Sequence, residues 1–158
     1  MALKPQRTVL DTSIDFFMNE TANRGGIVCV STAGSGIAND QAKNVVTYVG
    51  AQISGVKPIG LLLNDVVNYD LTRQNRNPHR DEVQIYQKVT VMRKGTVVTD
   101  RIYPGLTPTG GDLAYVAQSG YISNRDLGTD QSTASRLVGR FESTKDEDGF
   151  AKVSVNLP

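Results

Sequence analysis

The sequence predicts an all-β domain, a small β-barrel or sandwich with an extended N-terminal arm and little helix. Val, Thr and Ile together number 40 of the 158 residues. β-Branched side chains suit a pleated surface and lose rotamer freedom in a helix. Fifteen Gly and six Pro supply the punctuation that many short strands need. Neither a heptad nor a repeat of solenoid length is visible. A chain of this length fits one domain that buries roughly two thirds of its unfolded surface.

Taken in order, residues 1–24 are polar around one apolar knot, Ile14 with Phe16, Phe17 and Met18. Pro5 and scattered Thr, Ser and Asn favour an extended arm; a short helix capped by Asp11 or Ser13 is the alternative. In an extended chain Phe16 and Phe17 point to opposite sides. Residues 25–158 form the β-rich body, with 104–158 as a candidate C-terminal β-hairpin module. "GGIVCVSTAGSG" predicts a strand from Ile27 to Val30, and "NVVTYVG" another from Val45 to Val49. "VKPIGLLLNDVVNYDL" reads as one or two strands bent at Gly60, with Pro58 at a strand start or edge. Leu61-Leu62-Leu63 has no period, as expected where both strand faces are covered.

"DEVQIYQKVTVMRKGTVVTDRIY" reads as a hairpin with strands around Val89 and Val97 and Gly95 at the turn. "PGLTPTGGD" is a turn-rich linker, and "LAYVAQSGYIS" a second hairpin turning at Ser119-Gly120. Val153, Val155 and Leu157 alternate with Lys152, Ser154 and Asn156, a period-two strand with one dry face. Leu137 to Glu142 is its partner across an acidic turn ending in Gly149. The best helix candidate is Gln131 to Leu137, capped by Asp130 or Ser132.

The net charge of +1 argues against a general polyanion binder, which carries a clear basic excess. A single cysteine, Cys29, rules out an intrachain disulfide framework and fits a reducing compartment of synthesis. No apolar run approaches the ~20 residues of a membrane helix. The N-terminus lacks an apolar h-region, against a standard signal peptide. In that context the glycosylation sequon at Asn19 reads as a chance match.

The most enzyme-like stretch is "NYDLTRQNRNPHRDEVQ", residues 68–84, which holds the only histidine, His79. No nucleophile elbow stands near any Ser or near Cys29, so neither residue has the partners of a catalytic pair. Zinc needs four His or Cys ligands, and the chain has two such residues. "DEDG" at Asp146 to Gly149 lacks calcium-loop spacing, and "AGSG" and "TPTGGD" lack a phosphate-loop ending. No metal, cofactor or small-molecule substrate is therefore expected. Arg73, Arg76 and Arg80 are balanced by Asp70, Asp81 and Glu82, and no aromatic stands between Tyr69 and Tyr86 to stack a base. Nucleic acid is excluded on those grounds. A contact loop rich in Arg and a merely solvated loop fit these residues equally.

Read together, "IDFFMNETANRGGIVCVSTAGSGIANDQ", "GVKPIGLLLNDVVNYDLTRQNRNPHRDEVQ" and "VTVMRKGTVVTDRI" resemble capsid decoration, or cement, proteins of tailed bacteriophages, especially cyanophages. "GGDLAYVAQSGYISN…RLVGRFESTKDEDGFAKVSVNLP" is similar to a closing module of phage head proteins. There a Gly-Asp opens a hairpin, a Val-Gly strand follows and an acidic turn leads to the last strand. The resemblance covers residues 14–158. It implies a β-rich homotrimer that binds the major capsid protein on the outside of the head and ties its subunits together. The resemblance also implies synthesis in the host bacterial cytoplasm and no enzymatic role. The arm, with Phe16, Phe17 and Met18 as apolar anchors, and the loop bearing Asp70, Arg73, Arg76, His79, Arg80, Asp81 and Glu82 are the implied protein interfaces. The alternative is a virion-surface or tail-associated module contacting a host glycan. That needs an exposed aromatic platform, and the chain has no Trp. A small β-rich enzyme, the third class, needs a polar pocket at His79.

Overall fold

The computed structural model describes residues 3–30, 43–47, 58–63, 69–70, 75–76, 82–83, 88–127 and 137–157. In chain order its strands are β1 (Leu3–Met18), β2 (Ala22–Asn23), β3 (Ile27–Val30), β4 (Lys43–Thr47), β5 (Pro58–Leu62), β6 (Tyr69–Asp70) and β7 (Asn75–Arg76). There follow β8 (Glu82–Val83), β9 (Lys88–Thr99), β10 (Leu113–Val116), β11 (Ile122–Ser123), β12 (Leu137–Phe141) and β13 (Ala151–Asn156). A 3-10 turn at Gln118–Gly120 separates β10 from β11. The all-β class expected from β-branched composition is the class observed.

β9 organises the molecule. β1 runs antiparallel along its whole length, from Leu3 opposite Thr99 to Phe17 opposite Lys88. The other edge of β9 is shared: β5 pairs at Val91 and Met92, and β13 pairs from Lys94 to Thr99. β5 continues to β3, β3 to β4, and β4 returns in parallel to Phe16–Met18 of β1. Five strands thus close a ring, which leaves those paired edges out of reach of other chains. Its interior takes a side chain from each strand: Met18, Val45, Val28, Leu62, and Val89 with Val91.

The opposite face of β3 and β5 is also dry. Ile27, Cys29, Leu61, Leu63 and Met92 point into a larger core, shared with the inner face of a second layer. That layer runs β9–β13–β12–β10–β11. It contributes Val97, Ala114, Val116, Ile122, Val138, Phe141, Val153, Val155 and Leu157. The unbroken Leu61-Leu62-Leu63 run follows directly, with Leu62 in the ring and its neighbours in the larger core. The alternation expected of the last strand holds: Val153, Val155 and Leu157 are buried while Lys152 and Asn156 are exposed. The hairpin turning at Ser119-Gly120 is present, with Tyr115 opposite Ser123 and Val116 opposite Ile122.

Other expectations are corrected. No hairpin turns at Gly95; Lys88–Thr99 is one twelve-residue strand. Gly95 (φ 150°) serves close approach instead, since a Cβ there would lie 2.3 Å from the Thr8 carbonyl oxygen. Gly60 lies within the single strand β5, next to a register irregularity against β3, and a Cβ there would lie 2.2 Å from Val91 Cγ1. A helix over the first residues is replaced by β1. β4 begins two residues before the expected Val45, and residues 48–49 lie outside the described residues. Of the expected helix, Leu137 opens β12 and residues 131–136 lie outside the described residues.

Candidate interaction surface

The sequence of β1 is polar, and the structure explains how it stays in the sheet. Leu3 inserts into the larger core and Met18 into the ring, so the strand is pinned at both ends. Between them Pro5 to Thr12 are all exposed. Its register against β9 shifts at four places. One is a β-bulge: Val9 faces Gly95 and Asp11 faces Lys94, leaving Leu10 as the extra residue. Leu10 is consequently 77% exposed and Val9 39%. From Leu3 to Asp15 no second strand pairs with the outer edge of β1 among the described residues.

The N-terminal end is tied to the last hairpin. Lys4 Nζ donates to Asp146 Oδ2 at 2.8 Å and stands 4.4 Å from the centre of the Phe150 ring. Asp146 also orders its own turn, accepting from Phe150 N at 2.7 Å through Oδ1 and donating its N–H to the Phe150 carbonyl at 2.8 Å. The Lys4 bond first, then the Phe150 N–H, holds the Asp146 carboxyl below the usual carboxylate range. Lys152 and Glu142 pair beside it at 2.8 Å. Asp112, in the Gly-Asp that opens the C-terminal module, accepts from Thr109 N at 2.9 Å and from Asn124 Nδ2 at 3.0 Å. Those bonds, Thr109 first, lower its carboxyl as well.

The sequence-predicted residues divide into three groups. Met18 is buried in the ring and partly buried Phe16 packs against the same cluster, so both anchor β1 to its own body; Phe17 is partly buried beside them. In the charged loop, Tyr69 pairs with Arg76 and Asp70 with Asn75 in a small hairpin. Glu82 returns to pair with Asn23 through β8 and β2. The loop is therefore stitched to the chain just after β1. Arg73, His79, Arg80 and Asp81 lie outside the described residues. Lys4, Val9 and Leu10 are what sequence reasoning missed; a Val-Leu pair inside a polar strand was the available signal.

Cys29 is buried, and desolvation, with Glu20 nearby, pushes its thiol up to about 12. That is the opposite of an activated nucleophile. Among the described residues no His, Cys, Asp and Glu side chains gather into a metal-binding group, and no helix is long and apolar enough to cross a membrane.

Among the described residues, the surface offered is the extended outer edge of β1. No curated protein matches the chain. A family model described as structural cement protein (E217 gp24/Pam3 gp6) matches residues 5–156, which takes in most of β1, the two layers and the final hairpin. The chain belongs to this family of structural cement proteins.

Proposed function

We propose that the protein binds the outside of an icosahedral phage head as a homotrimer and ties neighbouring major-capsid subunits together, stabilising the shell. The observation that carries this reading is the family match across both the arm and the body. The role is non-enzymatic and uses no cofactor, nucleic acid or membrane. The protein is made in the host bacterial cytoplasm and resides in the virion. Residues 1–24 and the loop at 68–84 are the contact elements on this reading. Cementing a pressurised shell requires many modest contacts, and linked sites raise avidity by about 10² to 10⁴ without any one contact being strong.

The test mixes purified protein with expanded heads that lack it. Co-sedimentation and an increase in the temperature at which the heads open are expected. Protein left in the supernatant at saturating concentration would remove the cementing role. Replacing Arg73, Arg76 and Arg80 with Ala should weaken co-sedimentation while the thermal unfolding of the free protein stays unchanged. Wild-type binding by that variant would return the loop to a solvated role.

A further inference from the structure

The outer edge of β1 is the longest unpartnered strand edge among the described residues. Long edges are normally guarded by lysines, prolines, β-bulges or a covering element, and a bulge at Leu10 is the one such device in the middle of β1. Here Pro5 guards only the start. From Gln6 to Ser13 there is no proline and no lysine, and the two charges, Arg7 and Asp11, cancel. The stretch also holds Thr8, Val9 and Thr12, residues that favour a pleated strand.

The stretch is its own complement. Laid antiparallel against a second copy with Val9 at the centre, Arg7 faces Asp11, Thr8 faces Leu10 and Gln6 faces Thr12, and each pair occurs twice by symmetry. Opposite charges and apolar residues directly opposite are the cross-strand pairs that stabilise a sheet, and like charges there destabilise it. Arg7 already interacts within its own chain, and a guanidinium has donors for both contacts. Val9 and Leu10, exposed apolar side chains of the strand, are brought to the middle of the contact. We propose that two copies of this chain pair edge to edge through β1, antiparallel about a two-fold axis at Val9. The bulge at Leu10 and the register shift beside Asp11 fall inside this stretch, and further shifts flank it, so the pairing is short, weak in solution and effective where copies are held close together. Its use on a shell, joining one trimer to the next, rests on the cementing role; the pairing itself does not.

Disulfide capture of the full-length protein without heads tests the pairing separately from capsid binding. Native Cys29 is buried and protonated, so an introduced thiol is the reactive one. Val9→Cys should form covalent dimers under mild oxidation several-fold faster than Glu147→Cys, a control on the exposed acidic turn. Arg7→Asp or Asp11→Arg, each added to Val9→Cys, should slow this by setting like charges opposite each other. Mixed together, those two double variants should cross-link to each other faster than either does to itself, resolved by mass. Equal rates for Val9→Cys and Glu147→Cys would overturn the proposal, as would a mixture with no preference for the mixed dimer. Capture of a capsid subunit by Val9→Cys on heads, with no covalent dimer, would assign the edge to the shell and overturn it too.

Discussion

Lys4 and Asp146 join residues 142 apart in sequence through a 2.8 Å charge-assisted hydrogen bond, which fastens the first strand to the turn between the last two. The strand so held is pinned by apolar side chains at its two ends, by Leu3 at one and by Phe16 and Met18 at the other. Its middle, Pro5 to Thr12, is exposed and has few buried contacts to resist local opening.

The fastening is pH-dependent in a definite direction. Asp146 has a lowered folded value, caused first by Lys4. Its contribution is complete above the ordinary aspartate value of about 3.9 and is lost as pH falls through the lower folded value. Native-state hydrogen exchange at Leu3 to Val9, corrected for intrinsic rate, should accelerate below about pH 4. Lys4→Met should exchange quickly at neutral pH and lose most of this pH response. Because the pair is exposed, the global melting temperature should barely move.

Gly95 should be intolerant of a side chain, because it is buried in β9 between β1 and β13. Alanine there would place its Cβ 2.3 Å from the Thr8 carbonyl oxygen, at φ 150°. Either β1 lifts or β9 distorts, so a loss of about 1–3 kcal/mol is expected, as for overpacking. Chemical denaturation should show it, with the exchange increase centred on Arg7 to Val9.

Phe141 is among the largest fully buried side chains and belongs to the larger core. Phe141→Ala should cost about 3–5 kcal/mol. That is a large share of the ~5–15 kcal/mol margin of a typical domain. A sharply lowered denaturation midpoint with unchanged β-sheet circular dichroism at low denaturant is the expected pattern.

Cys29 reports on global opening. It lies on the face of β3 that packs into the larger core, and burial holds its thiol near 12. At pH 8 thiol reagents should label the folded protein only at the rate of unfolding, and denaturant should raise that rate in step with loss of structure. Rapid labelling of the native protein would show that β3 opens locally.

The period-two pattern of Val153, Val155 and Leu157, the unbroken Leu run and the turn at Ser119-Gly120 could be read directly, because each is a local signature of burial or backbone geometry. Gly95 could not. A glycine after Arg-Lys is compatible both with a turn and with a strand that another backbone approaches, and only the arrival of β1 decides between them. Met18 misled for a similar reason. Its apolar knot reads equally as an anchor for a partner or as a plug for its own ring, and the parallel pairing with β4 is a non-local fact. In the charged loop, charge balance and a lone histidine were the sequence signals, and His79 lies outside the described residues. The loop's tie to β2 through Glu82 and Val83 has no sequence signal.

That difference changes what removal of the N-terminal residues should do. Deleting residues 1–24 removes Leu3 and Met18 from the two cores and takes away the strand that closes the ring. Loss of a buried Met side chain alone costs about 2–5 kcal/mol, and the opened ring adds two bare strand edges, which invite aggregation. The truncated chain should be insoluble or unfolded by circular dichroism rather than a folded body that has lost only its binding. Leu10→Ser separates the two effects, because a side chain 77% exposed should change stability by no more than about 0.5 kcal/mol. Its melting temperature should match wild type while its occupancy on expanded heads falls. A folded 25–158 fragment with an unaltered melting temperature would mean that β1 is dispensable to the body.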